Sequence, residues 1–205
     1  MIYRIFDIIL LIALVPIFFP IFIIIYVFLY FKIGKPVLFI QKRSGLNGKE
    51  FKLYKFRTMA NINSDAKKEK NIKSYIDMQK RRVLNSTKFL RRTRLDEIPQ
   101  LLNILLNDLS FVGPRPLLIE YNSLYDFRQR TRLNVQPGIT GWSQIKSEST
   151  NSWKEKFELD IWYVENKSIY LNLKIILLTI KFFLQKILID KEKEIILNDK
   201  FNGKN

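Results

Sequence analysis

The chain has 205 residues, 47% hydrophobic and 26% charged, with 35 Lys+Arg against 19 Asp+Glu and a formal net charge of +16. The apolar share supplies a core and excludes a disordered chain, while the basic excess points to anionic partners: phosphorylated substrates, phospholipid head groups or nucleic acid. With neither Cys nor His, disulfides, thiol nucleophiles and histidine relays are excluded, so any chemistry rests on carboxylates, Lys, Arg, Tyr and hydroxyls, and any metal is a hard ion such as Mg²⁺.

From Ile8 to Phe31 no residue is charged, a run longer than the roughly 20 residues a spanning helix needs. Pro16 and Pro20 near its centre each remove a helical hydrogen bond and favour a kink. Arg4 precedes the run, and Lys32, Lys35, Lys42 and Arg43 follow it, so the positive-inside rule draws both flanks to the cytoplasm. A kinked spanning helix and a re-entrant helix broken at Pro20 both fit the length; the second satisfies both flanks. Asp7 is expected at the interface, paired with Arg4.

Residues 37–43 and 49–59 read as a β-hairpin turned at Asn47-Gly48. Residues 60–80 read as a loop and a solvated helix, and 95–107 as an apolar helix interrupted near its start by Pro99. Residues 108–118 and 136–142 are loops punctuated by Gly and Pro. An amphipathic helix is expected over 152–165. Residues 169–190 are apolar but carry Lys174, Lys181 and Lys186, which suits a core or interfacial helix and not a bilayer span. The fold class is therefore α+β and mostly helical, divided into a membrane helix (1–34), a catalytic domain (35–190) and a polar tail (191–205).

In RRTRLDEIPQ (91–100), the adjacent carboxylates Asp96 and Glu97 follow Arg91, Arg92 and Arg94. Acids here can cap a helix and complement its dipole, or serve as nucleophile and metal ligand beside phosphate-binding arginines. Arg115 between Pro114 and Pro116 is either a phosphate clamp on stiff backbone or part of a rigid turn. PGITGW (137–142) offers backbone N–H groups and the Trp142 ring to a ligand, or packs as a structural turn. Lys55 and Arg57, in the KEFKLYKFRTM run, complete the candidate substrate-binding set. The basic run from Lys80 to Arg94 has no accompanying nucleic-acid motif, and an acidic lipid surface is the better partner for it.

Taken together, KPVLFIQKRSGLNGKEFKLYKFRTM, LDEIPQLLNIL, DLSFVGPRPLL, QPGITGW and KFELDIWYVEN, in that order, resemble the bacterial sugar transferases, the monotopic phosphoglycosyl transferases. The resemblance implies transfer of a sugar phosphate from a UDP-sugar to undecaprenyl phosphate, with Mg²⁺, at the cytoplasmic face of the bacterial inner membrane. It implies Asp96 as nucleophile, with a covalent phosphosugar intermediate and UMP released. It further implies Glu97 with Asp96 at the metal, and Arg91 and Arg115 as phosphate clamps. The KFELD and KFNGKN stretches favour UDP-N,N′-diacetylbacillosamine or a related N-acetylated sugar as donor. A second copy of the chain is a further expected partner. The family's re-entrant helix breaks at a Ser-Pro pair, where this chain has Phe19-Pro20. Arg92 and Arg94 add charge beyond the family's pattern and bear on sugar or lipid preference. The rival reading is a membrane-anchored basic binding or scaffold protein without catalysis.

Overall fold

The computed structural model describes residues 1–59, 87–146, 152–188 and 201–203. Helix α1 (Ile2–Ile33) opens the chain and stays helical through Pro16 and Pro20. The break expected at Pro20 is thus no interruption of the helix. A proline removes one bond from the ladder, and the turns on either side can carry the helix across it. Asp7, Leu11, Leu14, Phe18, Phe22, Ile25 and Leu29 recur at three- and four-residue steps and turn towards the domain. Ile5, Ile9, Ile12, Phe19, Ile23 and Ile24 stay exposed. α1 is long and apolar enough to cross a membrane, yet one face of it packs on the domain along its length.

Both ends of α1 are tied down. The Tyr3 hydroxyl donates to the Lys167 carbonyl at 2.9 Å, and Arg4 donates to the carbonyls of Ile104 and Leu105. Asp7 is not an interfacial partner of Arg4. It is 1% exposed and accepts from the Ser110 hydroxyl at 3.0 Å and the Phe111 N–H at 3.1 Å. A carboxylate at the edge of an apolar segment needs such donors, and these two lie within its reach. At the other end, Arg57 donates to the carbonyls of Ile33 (2.6 Å) and Gly34 (2.8 Å), satisfying acceptors that the helix terminus leaves open.

The hairpin forms as expected, with β1 (Leu38–Ser44) antiparallel to β2 (Glu50–Phe56) and Leu38 opposite Phe56. Its connection, Leu46–Gly48, is a single 3₁₀ turn in which Asn47 (φ 53°) and Gly48 (φ 75°) are left-handed. That conformation is the reason an Asn-Gly pair signals a hairpin. After the hairpin come α2 (Lys88–Arg92), a 3₁₀ turn over Leu95–Glu97, and α3 (Gln100–Leu105). The helix expected over 95–107 is thus divided, because Pro99 sits at the cap of α3 and the acidic pair lies in the tighter turn before it. Asn103, fully buried in α3, accepts from the Tyr54 N–H (3.1 Å) and donates to the Lys52 carbonyl (2.7 Å). It fixes α3 against β2.

Two segments expected as loops also contribute strands. β3 (Ser110–Val112) runs parallel to β4 (Gly138–Thr140), with Ser110 opposite Gly138. Each is three residues long, too short for an alternating pattern to announce it. Their backbones nearly touch: a Cβ on Gly138 would lie 2.1 Å from the Gly113 nitrogen. The chain continues through α4 (Trp142–Lys146), α5 (Trp153–Glu165) and α6 (Ile169–Leu188). On α6, Leu171 and Ile175 are buried, whereas Tyr170, Leu173, Leu177, Ile180 and Leu184 form an exposed apolar stripe.

One core cluster joins Leu11 of α1 to Leu53, Ile104, Val112 and Ile175; another joins Ile25 and Leu29 to Val37, Phe56, Leu90 and Ile98. Leu101 touches both. A third cluster is aromatic, with Tyr121, Tyr125 and Phe157 around Phe201. Phe201 lies 4.9 Å from the Phe157 ring and is 3% exposed, so the chain end returns to the domain. The expected solvated segment at 60–80, and most of the tail, lie outside the described residues.

Candidate active site

Glu97 is the centre of charge. Its Oε1 meets the Lys55 Nζ at 2.8 Å, Arg94 Nη1 at 3.1 Å and Arg115 Nη2 at 3.9 Å. β2, the turn before α3 and the loop after β3 each supply one of these cations. Burial alone would raise the Glu97 pKa, but Lys55, Arg94 and Arg115 together bring it down to about 2. Burial also lowers the Lys55 pKa, against the pull of the Glu97 charge.

Asp96 is held differently. Its Oδ1 is buried and has no hydrogen-bond partner among the described residues. Burial first, and the adjacent Glu97 charge second, push its pKa up to about 6, against the pull of Lys55, Arg94 and Arg91. Neighbouring carboxylates are thereby driven apart: one fully ion-paired, the other desolvated, more basic and unbound. A desolvated carboxylate with an uncommitted oxygen is chemically competent as a nucleophile.

The Arg115 loop is rigid for reasons deeper than its prolines. Arg132, 3% exposed, donates to the Arg115 carbonyl at 2.7 Å and to Asp160 Oδ2 at 3.1 and 2.9 Å. Ser143 donates to the other Asp160 oxygen at 2.6 Å. Arg43, its pKa pushed down to about 10 by burial and by the Arg115 charge, donates to the Pro116 carbonyl at 3.2 Å. The N–H groups of Gly113 and Gly138 are consumed in joining β3 to β4 and their flanks, to Thr140 and Pro114 respectively. In PGITGW, Gly138 therefore supports the Arg115 loop and does not offer its N–H to a ligand.

The structure thus brings Lys55, Arg91, Arg94 and Arg115 around Asp96 and Glu97. Arg91 carries a buried Nη1 without a partner among the described residues, and its charge acts on Asp96. Two predicted residues lie elsewhere. Arg57 caps α1, and Trp142 stacks on Trp162 (5.1 Å between centroids) with Lys146 over its ring at 5.0 Å. Arg43, Arg132 and Asp160 were not anticipated. A basic residue inside VLFIQKR is the only sequence signal for Arg43, and nothing in local spacing links Arg132 to Asp160.

Beside the carboxylates lies a cavity of about 240 Å³. Its walls are mostly aliphatic and aromatic and include Leu14 and Phe18 of α1 and Phe182 and Phe183 of α6; Arg94 and Glu97 also line it.

The bacterial sugar transferase family model matches residues 1–186. The chain belongs to that family. It is 49% identical over 150 residues to an uncharacterised sugar transferase, EpsL, of Bacillus subtilis, covering 73% of this chain and 71% of that protein. It is 36% identical over 162 residues to the UDP-glucose:undecaprenyl-phosphate glucose-1-phosphate transferase of Escherichia coli, covering 74% of this chain and 33% of the relative. It is 31% identical over 187 residues to the UDP-N-acetylgalactosamine-undecaprenyl-phosphate N-acetylgalactosaminephosphotransferase of Aeromonas hydrophila, covering 87% and 42%. The chain therefore spans less than half of either named phosphotransferase. The matched region contains the whole cation-carboxylate cluster.

Proposed function

We propose that this transferase moves a sugar 1-phosphate from a UDP-sugar to undecaprenyl phosphate and releases UMP. The observation that carries the proposal is the Asp96–Glu97 division, in which a desolvated carboxylate with an unpartnered oxygen stands beside an ion-paired one under excess positive charge. An Asp96 oxygen attacks the β-phosphorus of the donor. The bond from that phosphorus to the bridging oxygen breaks, and UMP departs with the electron pair. A phosphate oxygen of the acceptor then attacks the same phosphorus, the Asp96–phosphorus bond breaks, and the prenyl diphosphate sugar leaves. Lys55, Arg91 and Arg115 surround the charge that develops on the transferring group.

Among the described residues no group of three metal-ligating side chains occurs, but the orphaned Asp96 oxygen beside Glu97 suits Mg²⁺, which is commonly held by one or two carboxylates and the phosphates of the substrate. When bound there, Mg²⁺ would neutralise diphosphate charge as the anionic Asp96 approaches.

The donor best supported is UDP-N,N′-diacetylbacillosamine or a related N-acetylated sugar. The KFELD and KFNGKN resemblance favours it, and the Aeromonas relative is named for an N-acetylated sugar. The test is purified protein with Mg²⁺, undecaprenyl phosphate and a panel of UDP-sugars. UMP is expected with the correct donor and is lost on chelation with EDTA. UDP in place of UMP would mean that only the sugar moves, and would overturn the reading. No nucleotide with any donor, together with salt-sensitive polyanion binding, would favour a scaffold.

Both ends of α1 contact the domain, and its outer face is apolar. These features support a helix embedded in one leaflet, with Met1 and the domain on the cytoplasmic side of the inner membrane. Because the chain lacks Cys, Ile2→Cys provides a single thiol. It is expected to escape an impermeant maleimide in intact spheroplasts and to react once they are permeabilised. Labelling before permeabilisation would refute the topology.

A further inference from the structure

We propose that Arg94 receives the phosphate of the incoming prenyl phosphate, with the first isoprene units of that lipid in the cavity between α1 and α6. This inference rests on the proposed reaction and adds the place where its acceptor enters.

The cavity has the right chemistry at each point. Leu14, Phe18, Phe182 and Phe183 offer an apolar wall built from the most lipophilic helix in the chain and from α6, whose outer stripe is also apolar. At about 240 Å³ it is smaller than the roughly 300–1,000 Å³ typical of sites that enclose a whole small ligand. It therefore suits the head-proximal part of a long chain whose remainder stays in the bilayer. Its charged lining, Arg94 and Glu97, comes from the turn that carries Asp96, so a phosphate seated there is beside the nucleophile. The cations around the cluster outnumber its carboxylates, leaving positive charge for a dianionic phosphomonoester.

Arg94 is the cluster cation that lines the cavity, which Lys55, Arg91 and Arg115 do not. Its side chain is 45% exposed, against 40% for Arg115 and 20% for Lys55. Should Arg94 turn to a ligand, Lys55 remains on Glu97 at 2.8 Å, and the buried acid is not left unpaired. Arg94 also has a left-handed backbone, with φ 57°, a conformation that side chains disfavour and that surroundings must hold in place. It points a guanidinium fork, suited to phosphate, at the junction of the cavity and the carboxylates.

The test measures initial rates in mixed micelles, varying undecaprenyl phosphate and then the UDP-sugar that the wild-type protein uses. Arg94→Gln is expected to raise the apparent KM for undecaprenyl phosphate by about tenfold or more and to leave that for the UDP-sugar within about twofold. Arg94→Lys should recover part of the loss, since it restores charge without the fork. Thr179→Phe, which fills the cavity away from the charges, should give the same asymmetric change. An unchanged acceptor KM in Arg94→Gln and Thr179→Phe, or equal rises for both substrates, overturns the inference while the reaction stands. A wild-type protein that transfers sugar phosphate to no prenyl phosphate refutes the reaction itself, and the inference with it. If Arg94→Gln does not fold, Arg94→Lys and Thr179→Phe decide alone.

Discussion

Asp96→Asn is expected to lower turnover by at least about 10³-fold, roughly 4 kcal/mol of barrier, while the protein stays folded. An amide of the same shape presents no anionic oxygen to phosphorus, so the proposed covalent step is lost. Little in the native state is lost with it, because Asp96 Oδ1 has no hydrogen-bond partner among the described residues. The surroundings in fact disfavour the ionised acid: burial and the Glu97 charge push its pKa up to about 6. A raised carboxylate pKa means that the folded state binds the proton more tightly than the unfolded one. At pH above that value the charge is a cost, which the neutral amide removes. Thermal stability near pH 8 should accordingly be unchanged or higher in the variant, the pattern expected where function is maintained at the expense of stability. Activity within about tenfold of wild type would eliminate Asp96 as the nucleophile.

Asp160→Ala tests the opposite relation, a residue far from the chemistry in sequence on which the site depends. Asp160 and Arg132 are each 3% exposed and joined by paired hydrogen bonds. Removing one member of a buried pair typically costs about 3–5 kcal/mol, because the other charge is left without compensation. For a chain of this size that is on the order of 10 °C in Tm. Arg132 then loses the anchor from which it holds the Arg115 carbonyl, so turnover should fall in the folded fraction as well. Thermal denaturation checks the first expectation, and specific activity below the transition checks the second. A stable variant with wild-type turnover would show that the network neither supports the fold nor positions Arg115.

Chemical character was legible in the sequence where a residue type is unusual for its setting. Adjacent acids after arginines, an arginine between prolines and an Asn-Gly turn all mark positions that the structure uses. The hairpin followed from its Asn-Gly turn, the helix near 152–165 from its amphipathic pattern, and the one near 169–190 from an apolar run interrupted by lysines. Three-residue strands could not, since β3 and β4 exist through a glycine contact between segments far apart in sequence. Arg57 shows a different limit: its composition suits phosphate, but a terminus of unsatisfied carbonyls lies closer. Trp142 was similarly claimed by another ring. Partnerships such as Arg132 with Asp160 depend on tertiary proximity, and no local pattern encodes them.

The inward stripe of α1 has a consequence for how the molecule comes into being. Leu11 belongs to one core, and Ile25 and Leu29 belong to another, so the helix proposed to enter lipid is also a wall of the catalytic unit. A nascent copy that never reaches a bilayer must either bare the outer row of Ile and Phe to water or withhold the helix and leave both cores unroofed. With α1 in lipid as proposed, completing both cores is coupled to reaching the bilayer.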